Sequence, residues 1–158
     1  GKRNLLFLYN STSQSAKRKL DGFIKGCKES ANIGNNFAAL LCEENDIESI
    51  LISLKQFTKE NFIPDGIIAG DDFLAMIALK FAKQNSISVP ENLAIIGYDN
   101  SIFSKVSYPE LTTVDSKLFE LCSHSVKTLL EVFDGQLPKK ITILEPAVIE
   151  RDTFKSKA

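Results

Sequence analysis

Residues 64–100 read PDGIIAGDDFLAMIALKFAKQNSISVPENLAIIGYDN, and this stretch decides the fold. Gly66 to Ala69 (GIIA) and Leu93 to Gly97 (LAIIG) are short apolar runs bounded by polar and turn residues, the pattern of strands buried on both faces. Between them Leu74, Ile77, Ala78 and Phe81 recur at helical spacing, with Asp71 or Asp72 placed to cap the first turn. Val89-Pro90 marks the loop that follows. A strand, a crossover helix and a second strand in this order bring the two strands parallel in one sheet. The second strand then stops at Tyr98-Asp99-Asn100, an aromatic hydroxyl, a carboxylate and an amide at the end of a core strand. Polar groups there need partners, since burying them unpaired is costly.

The same alternation extends to both sides. Upstream, Asn4 to Tyr9 (NLLFLY) and Asn36 to Cys42 (NFAALLC) read as two more strands. Helices follow each: Ala16 to Ser30, with Leu20, Phe23, Ile24 and Cys27 on one face, and Asp46 to about Asn61, with Ile47, Ile50, Leu51, Leu54 and Phe57 on one face. Four β-α steps predict an α/β fold, a parallel sheet with helices on both faces. Downstream the rhythm changes. Ser101 to Glu110 reads as an irregular link and Leu111 to Val114 (LTTV) as a β-branched strand. Ser116 to Phe133 reads as a long helix stopped by Asp134-Gly135, and Ile141 to Leu144 and Ala147 to Ile149 as two short strands either side of Pro146. The tail from Lys155 to Ala158 is expected to fray.

Composition narrows the function classes. With 158 residues the chain is long enough for one compact domain with its own core. Its 44% hydrophobic and 25% charged residues are ordinary for a soluble globular protein. A net charge of −1 gives no bulk attraction to nucleic acid or to a membrane. No apolar run approaches the ~20 residues needed to span a bilayer, and no signal peptide is visible. The chain starts at Gly1 without Met, so further natural residues are expected upstream. Cys27, Cys42 and Cys122 form no CxxC pair and each has apolar neighbours, which predicts buried free thiols in a reducing, cytoplasmic compartment. The single histidine, His124, has no acid or nucleophile beside it in sequence. No GxGxxG or GxxxxGK[ST] occurs, so no nucleotide cofactor is expected. The run Lys17-Arg18-Lys19 lacks the interleaved aromatics of a single-strand binder.

Open α/β sheets bind ligands at the carboxyl ends of their strands. Those ends carry Asn10-Ser11-Thr12-Ser13-Gln14-Ser15, Glu43-Glu44-Asn45-Asp46, Gly70-Asp71-Asp72 and Tyr98-Asp99-Asn100, with Lys17, Arg18 and Lys19 one helical turn in. All four loops are expected on one edge. Together their hydroxyls, amides and carboxylates suit a small polar ligand. Each residue alone also has a structural explanation, since Asp46 and Asp72 stand at helix starts and Asp99 at a turn.

The segment quoted above, together with SYPELTTVDSKLFELCSHSVKTLLE after it, resembles the effector-binding core of the lactose/galactose repressor (LacI/GalR) family of bacterial transcription regulators. The opening GKRNLLFLYNSTSQSAKRKLDGF and the ending EPAVIERDTF resemble the same family in order, and VPENLAIIGYDN with PELTTV is the most specific part. The resemblance implies a periplasmic-binding-protein-like (type I) fold, in which two α/β subdomains close over a ligand. It implies that residues 1–110 are the C-terminal subdomain of that core, that residues 111–140 are a crossover strand and helix of the N-terminal subdomain, and that residues 141–158 return. The DNA-binding domain and most of the N-terminal subdomain would precede Gly1. It implies a ligand site at Ser13, Ser15, Lys19, Asn45, Asp71 and Asp99. Lys19 stands where the family has an Arg three residues before a Gly-aromatic pair, here Gly22-Phe23. Asp71 stands where it has an Asn, Asp99 keeps its Asp, and Asn45 falls near its ring-stacking aromatic. The partners implied are a small effector, carbohydrate as a class, operator DNA through the domain upstream, and a second copy in a homodimer, with no membrane and no catalysis. Two other readings stay open: an exported sugar-binding protein of a transporter, and an α/β phosphotransfer enzyme using Asp71 and Asp99 with Mg²⁺.

Overall fold

A computed structural model describes residues 1–31, 33, 36–43, 46–59, 62–137 and 141–155. The strands are β1 (Leu5–Tyr9), β2 (Phe37–Leu41), β3 (Gly66–Ala69), β4 (Ala94–Tyr98), β5 (Thr112–Asp115) and β6 (Ala147–Ile149). The helices are α1 (Gln14–Glu29), α2 (Ile47–Lys59), α3 (Asp72–Gln84), α4 (Ile102–Val106) and α5 (Leu118–Phe133). The strands form one sheet in the order β2-β1-β3-β4-β5-β6. Each neighbouring pair from β2 to β5 is parallel, and β6 runs antiparallel along β5.

The pleat sorts the apolar runs onto two faces. Leu6, Leu8, Ile67, Ala69 and Ile95 are at most 1% exposed and pack with Ile50, Leu51 and Leu54 of α2 and Leu74, Ala75, Ile77 and Ala78 of α3. Phe7 points the other way, against Phe23 and Cys27 of α1. Sequestering each Leu or Ile of the larger cluster contributes about 2 kcal/mol. The sheet therefore has helices on both faces, as the near-continuous apolar strands required.

Several expectations need correction. The strand expected to travel with a second subdomain, β5, lies in this sheet, with Ile96 opposite Thr112 and Tyr98 opposite Val114. The chain leaves the sheet only after Asp115, not near residue 110. The link at 101–110 contains α4, along which Ser104 and Ser107 turn their hydroxyls back onto the carbonyls of Ser101 and Ser104. No strand forms at 141–144: Ile141 and Ile143 are exposed, and β5 is short enough that β6 alone fills its free edge. Cys27 and Cys42 are buried, but Cys122 is exposed because α5 buries none of its residues. Burial lifts the Cys27 thiol above its usual range and pushes Cys42 up to about 11, so neither is a reactive thiolate at neutral pH. The expected end of α2 near Asn61 and part of the tail lie outside the described residues.

The helix α5 is amphipathic yet uncovered. Leu118, Leu121, Val126, Leu129 and Phe133 are all exposed. Gly135, in the left-handed conformation at φ 76°, ends it as the Asp134-Gly135 pair predicts.

Candidate functional site

Three parallel strands stop side by side, and the loops after β1, β3 and β4 meet. Ser13 caps α1, its hydroxyl accepting from the Ala16 amide at 3.2 Å. Asp71 caps α3, one carboxylate oxygen accepting from the Leu74 amide at 2.7 Å. Both helix N-termini therefore face the same space, where their partial positive ends add to the field. A cavity of 140 Å³ lies there, and Ser13, Ser15, Lys19, Asp71 and Asp99 all line it, with Tyr9, Asn10 and Ser11. Five of the six expected site residues are thus brought together. The sixth, Asn45, lies outside the described residues. The loop after β2 contributes nothing described to this cavity: Glu43 lines a separate depression with Cys42 and Ser49, and Asp46 caps α2 by accepting from the Ser49 amide at 3.0 Å.

Lys19 bridges two of the loops. Its ammonium donates to the Gly70 carbonyl at 2.7 Å and sits 3.8 Å from the centre of the Tyr98 ring. A cation over a tyrosine face is attracted by the ring quadrupole. Below the cavity, and sharing Phe7, Ser15 and Lys19 with it, a wider groove of 660 Å³ runs between α1 and the sheet, floored by Ile68, Tyr98 and Val114.

The turn after Tyr98 pairs its backbone amides and the Asn100 side chain within the protein. Asp99 and Asn100 both have positive φ, 102° and 50°, which Asp and Asn tolerate better than most residues. Three successive amides are held in place. Asp99 donates to the Val114 carbonyl at 2.8 Å, Asn100 to the Thr113 hydroxyl at 3.3 Å, and Ser101 to the Asp72 carboxylate at 2.7 Å. Asp72 is 1% exposed and also accepts from the hydroxyls of Ser101 at 2.8 Å and Thr113 at 2.5 Å. Arg151, just after β6, donates to the Asn100 side chain at 2.9 Å and to the Leu111 carbonyl at 2.7 Å. The sequence pointed to Asp72 as a helix cap and as one of the polar residues after the third strand, not as the anchor of this turn, and to Arg151 not at all. The one available signal was that two acids adjoin at the start of α3 while one suffices as a cap.

Electrostatics follow from this geometry. Burial pushes the Asp99 carboxyl above the ordinary carboxylate range. Lys19 pulls it down, the carboxylates of Asp72 and Asp71 raise it, and a hydrogen bond with Ser116 lowers it. Burial, aided by Asp99, also raises the Tyr98 phenol. A carboxyl whose folded-state pKa is raised favours the folded state most below its unfolded pKa, and that contribution is lost as pH rises through the raised value. Lys19→Met should widen this window upward by removing the one cation that opposes the rise. An NMR titration of the Asp99 carboxyl is expected to move to higher pH in the variant, and an unmoved midpoint would show that Lys19 does not reach it.

Comparison with known proteins shows where this site belongs. The model of the periplasmic binding protein-like domain matches residues 1–154. The chain is a member of the periplasmic binding protein-like domain family. It is 31% identical over 156 residues to an HTH-type transcriptional regulator of Lachnoclostridium phytofermentans, covering 97% of this chain and 46% of that protein. It is 35% identical over 94 residues to a sucrose operon repressor of Streptococcus mutans, covering 60% of this chain and 29% of that one. The chain thus spans about half the length of the first of these relatives. Among solved structures it superimposes with a TM-score of 0.84 on the Escherichia coli transcriptional repressor ascG at 20% identity, over 99% of this chain and 57% of that one. It superimposes with a TM-score of 0.81 on a periplasmic binding protein/LacI transcriptional regulator from Alkaliphilus metalliredigens complexed with D-xylulofuranose, at 23% identity, over 99% of this chain and 58% of that one. The resemblance to the LacI/GalR effector-binding core, read from residues 64–100 and 107–131 with the opening and ending of the chain, is borne out.

Proposed function

We propose that this periplasmic binding protein-like domain supplies one wall of the effector site of a LacI-type bacterial transcription regulator. The observation that carries the reading is the convergence of Ser13, Ser15, Lys19, Asp71 and Asp99 on one cavity. The 140 Å³ cavity shares Phe7, Ser15 and Lys19 with the 660 Å³ groove beside it, so the wall as a whole has room for a small ligand. The ligand class is a small polar molecule, carbohydrate in the first instance. The helix α5 belongs to the opposing lobe, which explains why its apolar side is bare. In the whole regulator, ligand favours the closed arrangement of the two lobes, and that shift changes the affinity of an upstream domain for operator DNA. The regulator works as a homodimer in the cytoplasm and is not an enzyme.

The decisive experiment is Asp99→Ala in the full-length regulator, reading operator binding with and without effector. Loss of the effector response is expected; an unchanged response would remove Asp99 from the site. With half the cleft absent, the 158-residue chain alone should bind carbohydrate far more weakly than micromolar, and a micromolar calorimetric affinity would contradict the half-site reading. Its bare α5 should also make it self-associate, so light scattering is expected to give a mass above 17.5 kDa that rises with concentration. A monomer at high concentration would speak against it.

Two alternatives fare less well. A phosphotransferase using Asp71 and Asp99 with Mg²⁺ finds no support among the relatives named above, which are regulators and repressors. An exported transporter component is disfavoured by the relatives named above, which are regulators and repressors.

A further inference from the structure

The charge balance of the cavity is uneven. One ammonium, that of Lys19, faces two lining carboxylates, Asp71 and Asp99, with Asp72 directly behind them. Lys19 is moreover already engaged, donating to Gly70 and lying over Tyr98. The N-termini of α1 and α3 add partial positive charge, roughly half an elementary charge each, which still leaves the acids in excess by about one charge. The Asp71 oxygens are divided in their use. One holds the Leu74 amide, so the carboxylate is fixed in orientation while still lining the cavity. Around it, Ser11, Ser13 and Ser15 offer hydroxyls suited to a ligand rich in hydroxyls.

We infer that the ligand of this cavity is a polyhydroxylated molecule bearing an ammonium group, an amino sugar or amino polyol, with its cation against Asp71 and Asp99. The inference rests on the effector-site reading above and adds to it the charge of the ligand. An ammonium placed there restores neutrality and gives charge-assisted hydrogen bonds to carboxylates that a neutral sugar meets only with hydroxyls. A phosphorylated sugar would bring further negative charge beside the same acids and be excluded.

The test uses the 158-residue chain and four probes at millimolar concentration: D-glucosamine, N-acetyl-D-glucosamine, D-glucose and D-glucose 6-phosphate. The readout is the shift of the backbone amide signals of Ser13, Gly70, Asp71 and Asp99, at a near-neutral pH where the amine is protonated. Glucosamine is expected to bind about tenfold more tightly than glucose, a difference of about 1.4 kcal/mol. N-acetylglucosamine, which keeps the ring and loses the charge, is expected to match glucose, and glucose 6-phosphate to leave the signals unmoved. Asp71→Asn preserves the helix cap, since asparagine caps as well as aspartate, and removes one charge. It is expected to bring glucosamine and glucose close to equal affinity. Glucose or its phosphate binding as tightly as glucosamine, or an unchanged preference in Asp71→Asn, overturns the inference while leaving the effector-site reading in place. No shift at these amides with any probe overturns the inference, and the effector-site reading is then decided by Asp99→Ala in the full-length regulator.

Discussion

Replacing Asp72 with alanine is expected to destabilise the chain by about 3 kcal/mol and to release the Asp99–Asn100 turn with it. The carboxylate is 1% exposed and accepts three hydrogen bonds, from the Ser101 amide, the Ser101 hydroxyl and the Thr113 hydroxyl. Hydroxyls can rotate toward other acceptors once it is gone, whereas the Ser101 amide is fixed by the backbone and is left unpaired. That asymmetry places the main cost on the one peptide group that follows the two positive-φ residues. Urea unfolding should show a lower midpoint with an unchanged slope. A loss under about 0.5 kcal/mol, the range of ordinary surface substitutions, would mean that Asp72 is not the anchor of the turn. Because the turn carries Asp99, the amide signal of Asp99 should also move in the folded variant.

Gly97→Ala is expected to be nearly as damaging, at about 2–3 kcal/mol, for the complementary reason. A methyl group on Gly97 would collide with the Asp72 carboxylate and come within 2.9 Å of the Leu111 side chain. Neither gives way readily: the carboxylate is pinned by its three donors and Leu111 is fully buried. The glycine is required here for the space and not for its conformation. The double variant should therefore lose less than the sum of the two single losses, since deleting the carboxylate removes the collision. Strict additivity in that cycle would place the clash elsewhere.

The sequence made the first four strands legible because each reads as an unbroken apolar run, and β1, β3 and β4 are indeed covered on both faces while the edge strand β2 is only half-buried. The helices between them were legible because their core residues repeat at helical spacing, and the caps at Ser13, Asp46 and Asp71 are the residue types that helix starts demand. Most of the cavity followed, because parallel strands deliver their following loops to one edge. What stayed hidden depends on contacts distant in sequence. Thr113 and Asp72 are 41 residues apart, and Arg151 and Asn100 are 51 apart. The antiparallel return of β6 is equally silent, since AVI carries no mark of its partner. Adjacent acids at 71 and 72 looked interchangeable, yet the helical start turns one out to the cavity and the other into the protein. Cys122 was misread for a related reason, because apolar neighbours along a helix predict burial only where something covers that helix.

The chain goes out to α5 from β5 and comes back through β6, and these two strands are hydrogen-bonded neighbours, with Val114 opposite Val148. The helix is thus a crank on twin stems. The outgoing stem leaves the sheet two residues after Thr113, whose hydroxyl joins the Asn100 amide to Asp72. Whatever grips the bare side of that crank also grips, at one remove, the backbone that presents Asp99.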